Sequence, residues 1–289
     1  MASTQELKSR IGSVKSTMQI TKAMQLVSAS KMRRAQDATK ASSPYVMAAC
    51  DLLASLSGYT SVERHPFFVK RIIKTRLLIV IASDKGLAGA YNSNIFKAYV
   101  EQLKIDEKAD IKNITIAVGR KTSQFATRID GNNVMGVYEN MNDRPDQRKF
   151  KTILYSVIEM FENGEIDAVD VIYTKFINSI SQQPRVERVL PAGFCESKRS
   201  NIASDVQFEP SAEEVLDVVA HRLIGAQVFQ ALLDARASEH SMRMLAMKNA
   251  TDNASDLVDD LTLAMNKARQ GAITQELAEI SGGVEALNA

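Results

Sequence analysis

The sequence predicts an α/β domain inserted between two long terminal helices that pair as a coiled coil. Three observations predict this fold class. Apolar or small side chains recur at steps of three or four through the last third of the chain, where no proline follows Pro210. A similar stripe runs through the first 57 residues. Between them, strand-like and helix-like segments alternate, as they do around largely parallel sheets. The chain therefore divides into residues 1–57, 58–210 and 211–289.

The first long helix is predicted from a heptad-like seam with steps of four and three. The seam residues are Leu7, Ile11, Val14, Met18, Thr21 and Gln25. Pro44 predicts a kink or a break, because proline lacks a backbone donor. The helix also carries a basic face: Lys8, Arg10, Lys15, Lys22, Lys31, Arg33 and Arg34. This face indicates either a solvated surface or an acidic protein partner. Nucleic acid is disfavoured because no aromatic side chains interleave with the basic ones.

The middle of the chain changes from helical to strand periodicity. Residues 77–81 form a continuous apolar run, typical of a strand buried on both faces. Further strands are predicted at 114–118, 134–138 and 169–174, with an edge strand at 185–190. Helices are predicted at 92–103, up to residue 125, and at 150–163. Residues 195–210 are irregular and polar, which indicates a linker into the last helix.

The last long helix is predicted from one continuous apolar face. Its members are Leu216, Val219, Leu223, Ala226, Leu233, Ala237, Met244, Met247, Ala254, Leu257, Leu261, Ala264 and Ala268. A helix of roughly 70 residues would be on the order of 100 Å long, about twice the width of a compact domain of this size. Gly282 and Gly283 predict that it frays or ends there. We expect the two helices to pair antiparallel, because both begin or end near the α/β domain, although a parallel pairing stays open.

Composition and residue inventory exclude several classes of function. The net charge of +2 gives no case for a nucleic-acid binder, and no apolar run is long enough to cross a bilayer. Cys50 and Cys195 lie far apart and are expected to be reduced thiols, and no secretory signal is evident. His65, His221 and His240 are scattered without metal-ligand spacing. Because no nucleophile–base or carboxylate pair is recognisable, we expect no catalytic, cofactor or metal site. The chain is expected to be an intracellular protein.

The sharpest short motif is the sequence SDKGLAGAYN at residues 83–92, between a predicted strand and a predicted helix. Phosphate-binding loops occur at such positions, since glycines and a helix N-terminus favour anions. The motif nevertheless lacks a closing Gly-Lys-Ser/Thr, and Lys85 precedes the glycines. We therefore expect a tight structural turn, with a nucleotide-binding enzyme as the alternative.

Three longer segments together carry a resemblance to a known family. Residues 11–36 read IGSVKSTMQITKAMQLVSASKMRRAQ, and residues 238–280 read SEHSMRMLAMKNATDNASDLVDDLTLAMNKARQGAITQELAEI. With SDKGLAGAYN, they closely resemble the γ subunit of F-type ATP synthase, in matching order from end to end. The resemblance implies an antiparallel coiled coil within the α3β3 head and a Rossmann-like α/β domain at its foot.

The resemblance also implies a function without an active site or cofactor. The chain would be a central rotor shaft, present once per complex, that transmits torque between the c ring and the catalytic β subunits. Its partners would be the α3β3 head, the ε subunit and the c ring, and the coupling ion would be a proton or sodium. The chloroplast cysteine insertion and a transit peptide are missing, which favours a bacterial type, peripheral on the cytoplasmic side of the cell membrane. A coiled-coil scaffold without a rotary role is a further alternative.

Matching motif positions carry the family's contact residues onto this chain. The residues expected to contact β are Lys22, Met24, Arg243, Arg269, Gln270 and Thr274. Arg243, Arg269, Gln270 and Thr274 are expected on the outward surface of the shaft, and Met24, with Lys22 beside it, is expected to face an acidic part of β. Phe208 and Glu209 match, over a shorter motif, the segment that contacts the c ring or ε.

Overall fold

The computed structural model describes residues 4–56, 65–69, 71–140, 147–192 and 212–287. It contains, in chain order, α1 (Thr4–Leu56), β1 (Thr75–Ile81), α2 (Tyr91–Lys108), β2 (Lys112–Val118), α3 (Arg120–Ala126), β3 (Asn133–Tyr138), α4 (Gln147–Glu162), β4 (Ala168–Phe176), β5 (Gln182–Leu190) and α5 (Ala212–Leu287). The predicted fold class is confirmed. The predicted linker at 195–210, and with it Phe208 and Glu209, lies outside the described residues.

Both terminal helices are more continuous than the sequence indicates. Helix α1 passes through Pro44 without ending, so the predicted break does not occur. Ala49 and Leu53, one and two turns later, are buried in the core, and this packing holds the helix despite the lost backbone donor. Helix α5 also continues past Gly282 and Gly283 to Leu287, and the predicted end at the glycine pair is wrong. A glycine costs only about 1 kcal/mol in a helix interior, which does not terminate one by itself.

The sheet has the strand order β3-β2-β1-β4-β5. Strands β3, β2, β1 and β4 are parallel, and β5 pairs antiparallel with β4 at the edge, as predicted for residues 185–190. The central strand β1 is buried from Arg76 to Ile81, as its apolar run predicts. Strands β2 and β3 lie on one side of β1 and β4 lies on the other. The winding direction of the sheet therefore reverses between β1 and β4.

Helices cover both faces of the sheet. On one face, Leu78 and Val80 of β1 pack in a cluster with Tyr91, Ile95 and Tyr99 of α2. On the other face, β1 packs with α4 and with parts of α1 and α5. The residues of that cluster include Leu53, Leu77, Ile79, Phe161 and Leu223. The two terminal helices are thus core helices of the α/β fold along part of their length.

The chain forms two compact units, residues 28–243 and residues 1–27 with 244–289. The boundaries cut through α1 and α5, whereas the predicted boundaries fall near the helix ends. Within the first unit, Gln227 Nε2 donates to Cys50 Sγ at 3.1 Å, and Ser42 Oγ donates to Gln230 Oε1. The α5 partner number falls as the α1 number rises, so the helices run antiparallel. Cys50 is a thiol and not part of a disulfide, whereas Cys195, also predicted to be reduced, lies outside the described residues.

The second compact unit is a two-helix seam. Leu7 and Ile11 are buried, and Val14, Met18, Thr21 and Gln25 are half-buried, which follows the predicted α1 stripe. On α5 the buried residues are Met247, Ala254 and Val258, at steps of seven and four. Leu257, predicted on this face, is 46% exposed, because the seam has moved to the next residue. The hydroxyls of Thr21 and Thr251 are hydrogen-bonded across the seam at 2.8 Å.

Candidate functional site

The far part of α5 carries three of the predicted contact residues on an exposed surface. Arg269, Gln270 and Thr274 are all exposed, as are the neighbouring described side chains from 271 to 281. Thr274 Oγ1 donates to the backbone oxygen of Gln270 at 2.9 Å, which places these two residues one turn apart on the same face. A helix stretch exposed on all sides is stable in a protein when a partner or a network of surface pairs supports it.

Lys22 and Met24 lie on α1 in the same compact unit. Lys22 is exposed and Met24 is half-buried. Both follow the seam residue Thr21, whose hydroxyl also bonds the backbone oxygen of Met18 at 3.0 Å. The structure thus gives Lys22 a solvent-facing position and holds Met24 at the margin of the seam.

Arg243 occupies a different environment from the outward one that was predicted. Its side chain is buried in the unit of residues 28–243, with 8% of the residue exposed. Its Nη1 lies 2.9 Å from Glu239 Oε1, and its Nη2 donates to the backbone oxygen of Lys85 at 3.0 Å. Nε and Nη2 each lie 3.3 Å from the backbone oxygen of Gly86. The outward orientation is wrong, because these acceptors hold the guanidinium inside the chain.

Arg243 ends a helix segment of α5 that is buried although it is rich in polar residues. We name residues 235–243, ARASEHSMR, the polar segment. Arg236, Ser238, Glu239, His240 and Ser241 are all buried within it. A polar helix turn that is buried on all sides must find its hydrogen-bond partners in neighbouring elements.

Neighbouring elements supply those partners at the carboxyl ends of two strands. Ser238 Oγ donates to the backbone oxygen of Thr174 in β4 at 3.1 Å. Ser241 Oγ donates to the backbone oxygen of Ser179, in the β4–β5 turn, at 2.6 Å. Tyr91, at the start of α2, donates its hydroxyl to the backbone oxygen of Ala235 at 3.1 Å. The polar segment therefore lies across the ends of β1 and β4.

Four charged residues, which we name the clamp, tie the polar segment to the loop after β1. They are Asp84, Arg236, Glu239 and Arg243. Glu239 uses one oxygen for each arginine, since Oε2 lies 2.9 Å from Arg236 Nη1 and Oε1 lies 2.9 Å from Arg243 Nη1. Arg236 Nη2 also lies 3.4 Å from Asp84 Oδ2. Glu239 is thus the one clamp residue that pairs with both arginines.

Asp84 extends the clamp to two further elements. Its Oδ1 accepts the backbone N–H of Arg120, the first residue of α3, at 3.1 Å. The same oxygen accepts the backbone N–H of Asn140, just after β3, at 3.0 Å. A carboxylate at a helix N-terminus also interacts favourably with the helix dipole. The clamp therefore joins α5 to the turns after β1, β2 and β3.

Burial and charge together set the protonation states in the clamp. Burial acts to lower the pKa of Arg236, but the charges of Glu239 and Asp84 and the nearby Tyr91 outweigh it, so that this pKa is raised. Burial, with Glu239 adding to it, raises the pKa of Tyr91. Arg236 thus stays charged and Tyr91 stays a hydrogen-bond donor.

The clamp also bears on the two interpretations of the loop at residues 83–92, a structural turn or a phosphate-binding loop. In open α/β sheets, ligands bind outside the carboxyl ends of the strands, where the winding reverses. Here that crevice lies between β1 and β4, and the polar segment fills it. The backbone oxygens of Lys85 and Gly86 accept from Arg243, and Ser83 Oγ donates to Lys85 O at 2.7 Å. This geometry favours the structural turn over a phosphate cradle.

A glycine allows the neighbouring turn to approach this loop. Gly119, between β2 and α3, has φ +97°, and a Cβ on it would lie 2.2 Å from the backbone oxygen of Ala82. Only glycine tolerates both that conformation and that distance. The close approach positions the start of α3 for its bond to Asp84.

The sequence predicts Arg269, Gln270 and Thr274 on an exposed surface, where the structure places them, but it does not predict the clamp. The sequence presents Asp84 only as part of a possible phosphate loop, and no motif distinguishes Arg236 or Glu239. A signal was present in the polar segment, where alanines and serines separate the charges over ARASEHS. Small residues between buried charges indicate close packing against another backbone.

Two other classes of site receive no support in the described parts of the chain. No helix there is long and apolar enough to span a membrane. Nor do those residues contain a cluster of histidine, cysteine and carboxylate side chains that could hold a metal ion.

The fold and its exposed helix define a class of protein, a two-helix coiled coil with an inserted α/β domain. The family model for ATP synthase matches residues 3–287. The ATP synthase gamma chain of Legionella pneumophila (strain Corby) is 40% identical over 290 residues, which covers 99% of this chain and 100% of that protein. The chain belongs to this ATP synthase gamma family.

Solved structures agree with this assignment. The central stalk and c-ring structure of the Tetrahymena thermophila mitochondrial ATP synthase contains a chain with 25% identity and a TM-score of 0.63, covering 80% of this chain and 99% of that one. A chain in the Euglena gracilis mitochondrial ATP synthase has a TM-score of 0.68 at 18% identity, covering 98% of this chain and 94% of that one. The second likeness supports the fold alone.

Proposed function

We propose that this chain is the central rotor shaft of a proton- or sodium-translocating F-type ATP synthase. It transmits torque between the c ring and the catalytic β subunits and carries no active site itself. The observation that carries the proposal is the 40% identity to an ATP synthase gamma chain over the full length of both proteins. The filled crevice between β1 and β4 supports a non-catalytic role, because it occupies the place where such folds bind ligands.

The proposed partners follow from this role. The α3β3 head surrounds the coiled coil, while ε and the c ring contact the α/β domain, with one copy of the chain per complex. The chain is held at the cytoplasmic side of the cell membrane as a peripheral subunit. Phe208 and Glu209 contribute to the contact with the c ring or ε.

The proposed β contacts are Lys22, Met24, Arg269, Gln270 and Thr274. The exposure of Arg269, Gln270 and Thr274 supports their part in it, as does the exposed ammonium of Lys22, which suits an acidic partner. Arg243 is left out of this direct contact surface, because its guanidinium is bonded to Glu239 and to the loop after β1.

Reconstitution tests the proposal. The α3β3 head is prepared with and without this chain, and ATP hydrolysis is measured. It is then joined to c-ring-containing vesicles, and ATP-driven ion uptake is followed. We expect fast hydrolysis and ion uptake only when the chain is present. Uptake that proceeds equally well without the chain would refute the rotor role.

A matched pair of variants tests the β contact. Arg269→Ala removes a charge that is exposed in the chain and that the proposal buries against β. Truncation of one partner of a buried, hydrogen-bonded charge pair costs about 2 kcal/mol or more. Lys267→Ala removes an exposed charge two residues earlier, on a different side of the helix. We expect severalfold slower ATP hydrolysis with Arg269→Ala and a normal rate with Lys267→Ala. Equal rates for the two variants would contradict the assignment of Arg269.

A further inference from the structure

We infer that Glu239 is a positioning residue for torque transfer, which it serves by fixing helix α5 to the turns of the α/β domain. The inference rests on the proposed rotor function and identifies the place where α5 is fixed to the α/β domain, which we call the joint. Glu239 is 4% exposed and pairs with Arg236 and Arg243 through separate oxygens, each at 2.9 Å. The joint is therefore inside the chain and needs no partner subunit.

The two arginines reach different parts of the loop after β1. Arg236 pairs with the side chain of Asp84, at 3.4 Å, whereas Arg243 binds backbone oxygens of Lys85 and Gly86. Two attachments, seven residues apart on α5, resist rotation of the helix about its own axis better than one attachment can. Glu239 lies between them and sets the orientation of both guanidinium groups, since planar guanidinium donors have fixed directions.

Torque makes specific demands on such a joint. Apolar contacts are non-directional, so a helix held by them alone can turn or slide under load. Hydrogen-bonded charge pairs are directional and resist those displacements. The polar segment replaces apolar side chains by charged pairs and serine bonds where α5 crosses the ends of β1 and β4. We therefore expect these charged pairs and serine hydrogen bonds to resist rotation and sliding of α5 better than apolar packing would.

A second buried charge network in the same unit provides a matched control. Asp170 of β4 pairs with Arg76 of β1 and Arg188 of β5, and Arg76 Nε lies 3.2 Å from Asp106 Oδ2. Like Glu239, Asp170 is buried between two arginines. Its own pairs join β4 to β1 and β5, and Arg76 extends the network to α2, so loss of the Asp170 charge weakens the domain without releasing α5.

The test uses the complete ATP synthase and compares ions pumped per ATP hydrolysed. Glu239→Gln leaves Arg236 and Arg243 without their shared carboxylate. Arg236→Gln combined with Glu239→Gln removes one charge of each sign. The loss of folding stability should therefore be smaller than for Glu239→Gln alone, although the ion pairs of Glu239 with Arg236 and Arg243 are still absent. We expect both variants to lower the pumping ratio at least threefold with hydrolysis retained. Asp170→Asn, matched by its melting temperature, should pump at the wild-type ratio.

Torsional stiffness supplies a readout that a purely structural role would not move. A probe attached at Lys108→Cys, on the exposed end of α2, reports angular fluctuations of the α/β domain during pauses of the shaft. We expect at least twofold wider fluctuations in the double variant and unchanged ones in Asp170→Asn.

The inference is overturned if the double variant has the pumping ratio and the angular fluctuations of the wild type. It is also overturned if Asp170→Asn changes both quantities as much as the double variant does. A wild-type chain that supports no ion pumping would instead refute the rotor function, which keeps the two failures distinct.

Discussion

Two stretches of the same helix, α5, have opposite environments. Residues 231–241 are buried on every side, including Arg236 and Glu239, whereas residues 269–281 are exposed wherever their side chains are described. The buried stretch finds its partners within the chain and is charged only where charges are paired. The exposed stretch has pairs within the helix, such as Gln275 Nε2 to Glu279 Oε1 at 3.0 Å. The buried stretch is thus specified by contacts within its own fold, whereas the exposed stretch faces solvent in the chain by itself.

Removal of one carboxylate from each stretch should give the largest contrast. Glu239→Gln leaves two buried guanidinium groups without their shared partner, and we expect the free energy of unfolding to fall by about 3–5 kcal/mol. Glu279→Gln removes an exposed carboxylate and should change it by less than about 0.5 kcal/mol. Urea denaturation of the full chain measures both. Similar losses for the two variants would show that the buried pairs carry no special weight.

The buried stretch should also make stability depend on pH through Asp234. Burial raises its pKa to about 7, from an ordinary value of 3.8, against the hydrogen bond from Gln230 and the charge of Lys175. The folded state therefore holds a proton that the unfolded state releases. This stabilising contribution is complete below about pH 4 and is lost as the pH rises to about 7, with a slope of up to about 1.4 kcal/mol per pH unit.

Asp234→Asn tests that dependence because its amide oxygen can still accept from Gln230 Nε2, now 3.1 Å from Asp234 Oδ1. The variant should match the wild type near pH 4 and exceed its stability at pH 8. Asp256→Asn, at an exposed position of α5, should follow the wild-type profile. If Asp234→Asn also keeps that profile, Asp234 does not titrate as described.

Two glycine-to-alanine substitutions should change the free energy of unfolding in opposite directions. One lies in the turn that packs on the loop after β1, and the other lies on the exposed stretch of α5. Gly119→Ala would place Cβ 2.2 Å from the backbone oxygen of Ala82, and we expect a loss of about 2 kcal/mol or more. Gly271→Ala meets nothing within 4 Å on the exposed stretch of α5 and should raise stability by about 0.5–1 kcal/mol. Thermal unfolding of both variants checks the signs. A stabilising Gly119→Ala would contradict the tight approach of the two turns.

A smaller loss than those at Glu239 and Gly119 is expected in the seam, whose burial lies between that of the two stretches of α5. Thr251→Val removes the hydroxyl that bonds Thr21 at 2.8 Å, and we expect a loss of about 1 kcal/mol. Thr262→Val is a control, because the hydroxyl of Thr262 bonds the backbone oxygen of Val258 in its own helix. A double-mutant cycle of Thr21→Val and Thr251→Val should show coupling. Strict additivity would indicate that the hydrogen bond contributes nothing to pairing.

Much of the fold was predictable because its signals are local. The apolar run of β1, the alternation around it and the α1 seam from Leu7 onward all appear in the sequence as short-range periodicity. The clamp was not predictable from the sequence, because a charged side chain is buried only where a partner distant in sequence lies beside it. Arg236 and Asp84 are 152 residues apart, and neither is unusual in its own neighbourhood. The outward position expected for Arg243 failed for the same reason.

The contact role proposed for Arg269, Gln270 and Thr274 rests on a family resemblance and not on a physical signal in the sequence. Nothing in the spacing of Arg269, Gln270 and Thr274 distinguishes a partner surface from an ordinary solvated face. The structure adds only that all three are accessible. A contact role would depend on the surface of another chain, which leaves no pattern in this sequence.

The polar segment that fills the crevice between β1 and β4 behaves as a tethered ligand of its own domain. A tethered group is present at a high effective concentration, on the order of millimolar for a short flexible link and without any dependence on supply. A dissolved molecule could enter only by displacing a helix that is covalently part of the chain. The place where such sheets bind ligands is thereby occupied by a permanent part of the fold, which fastens α5 to the sheet at all times.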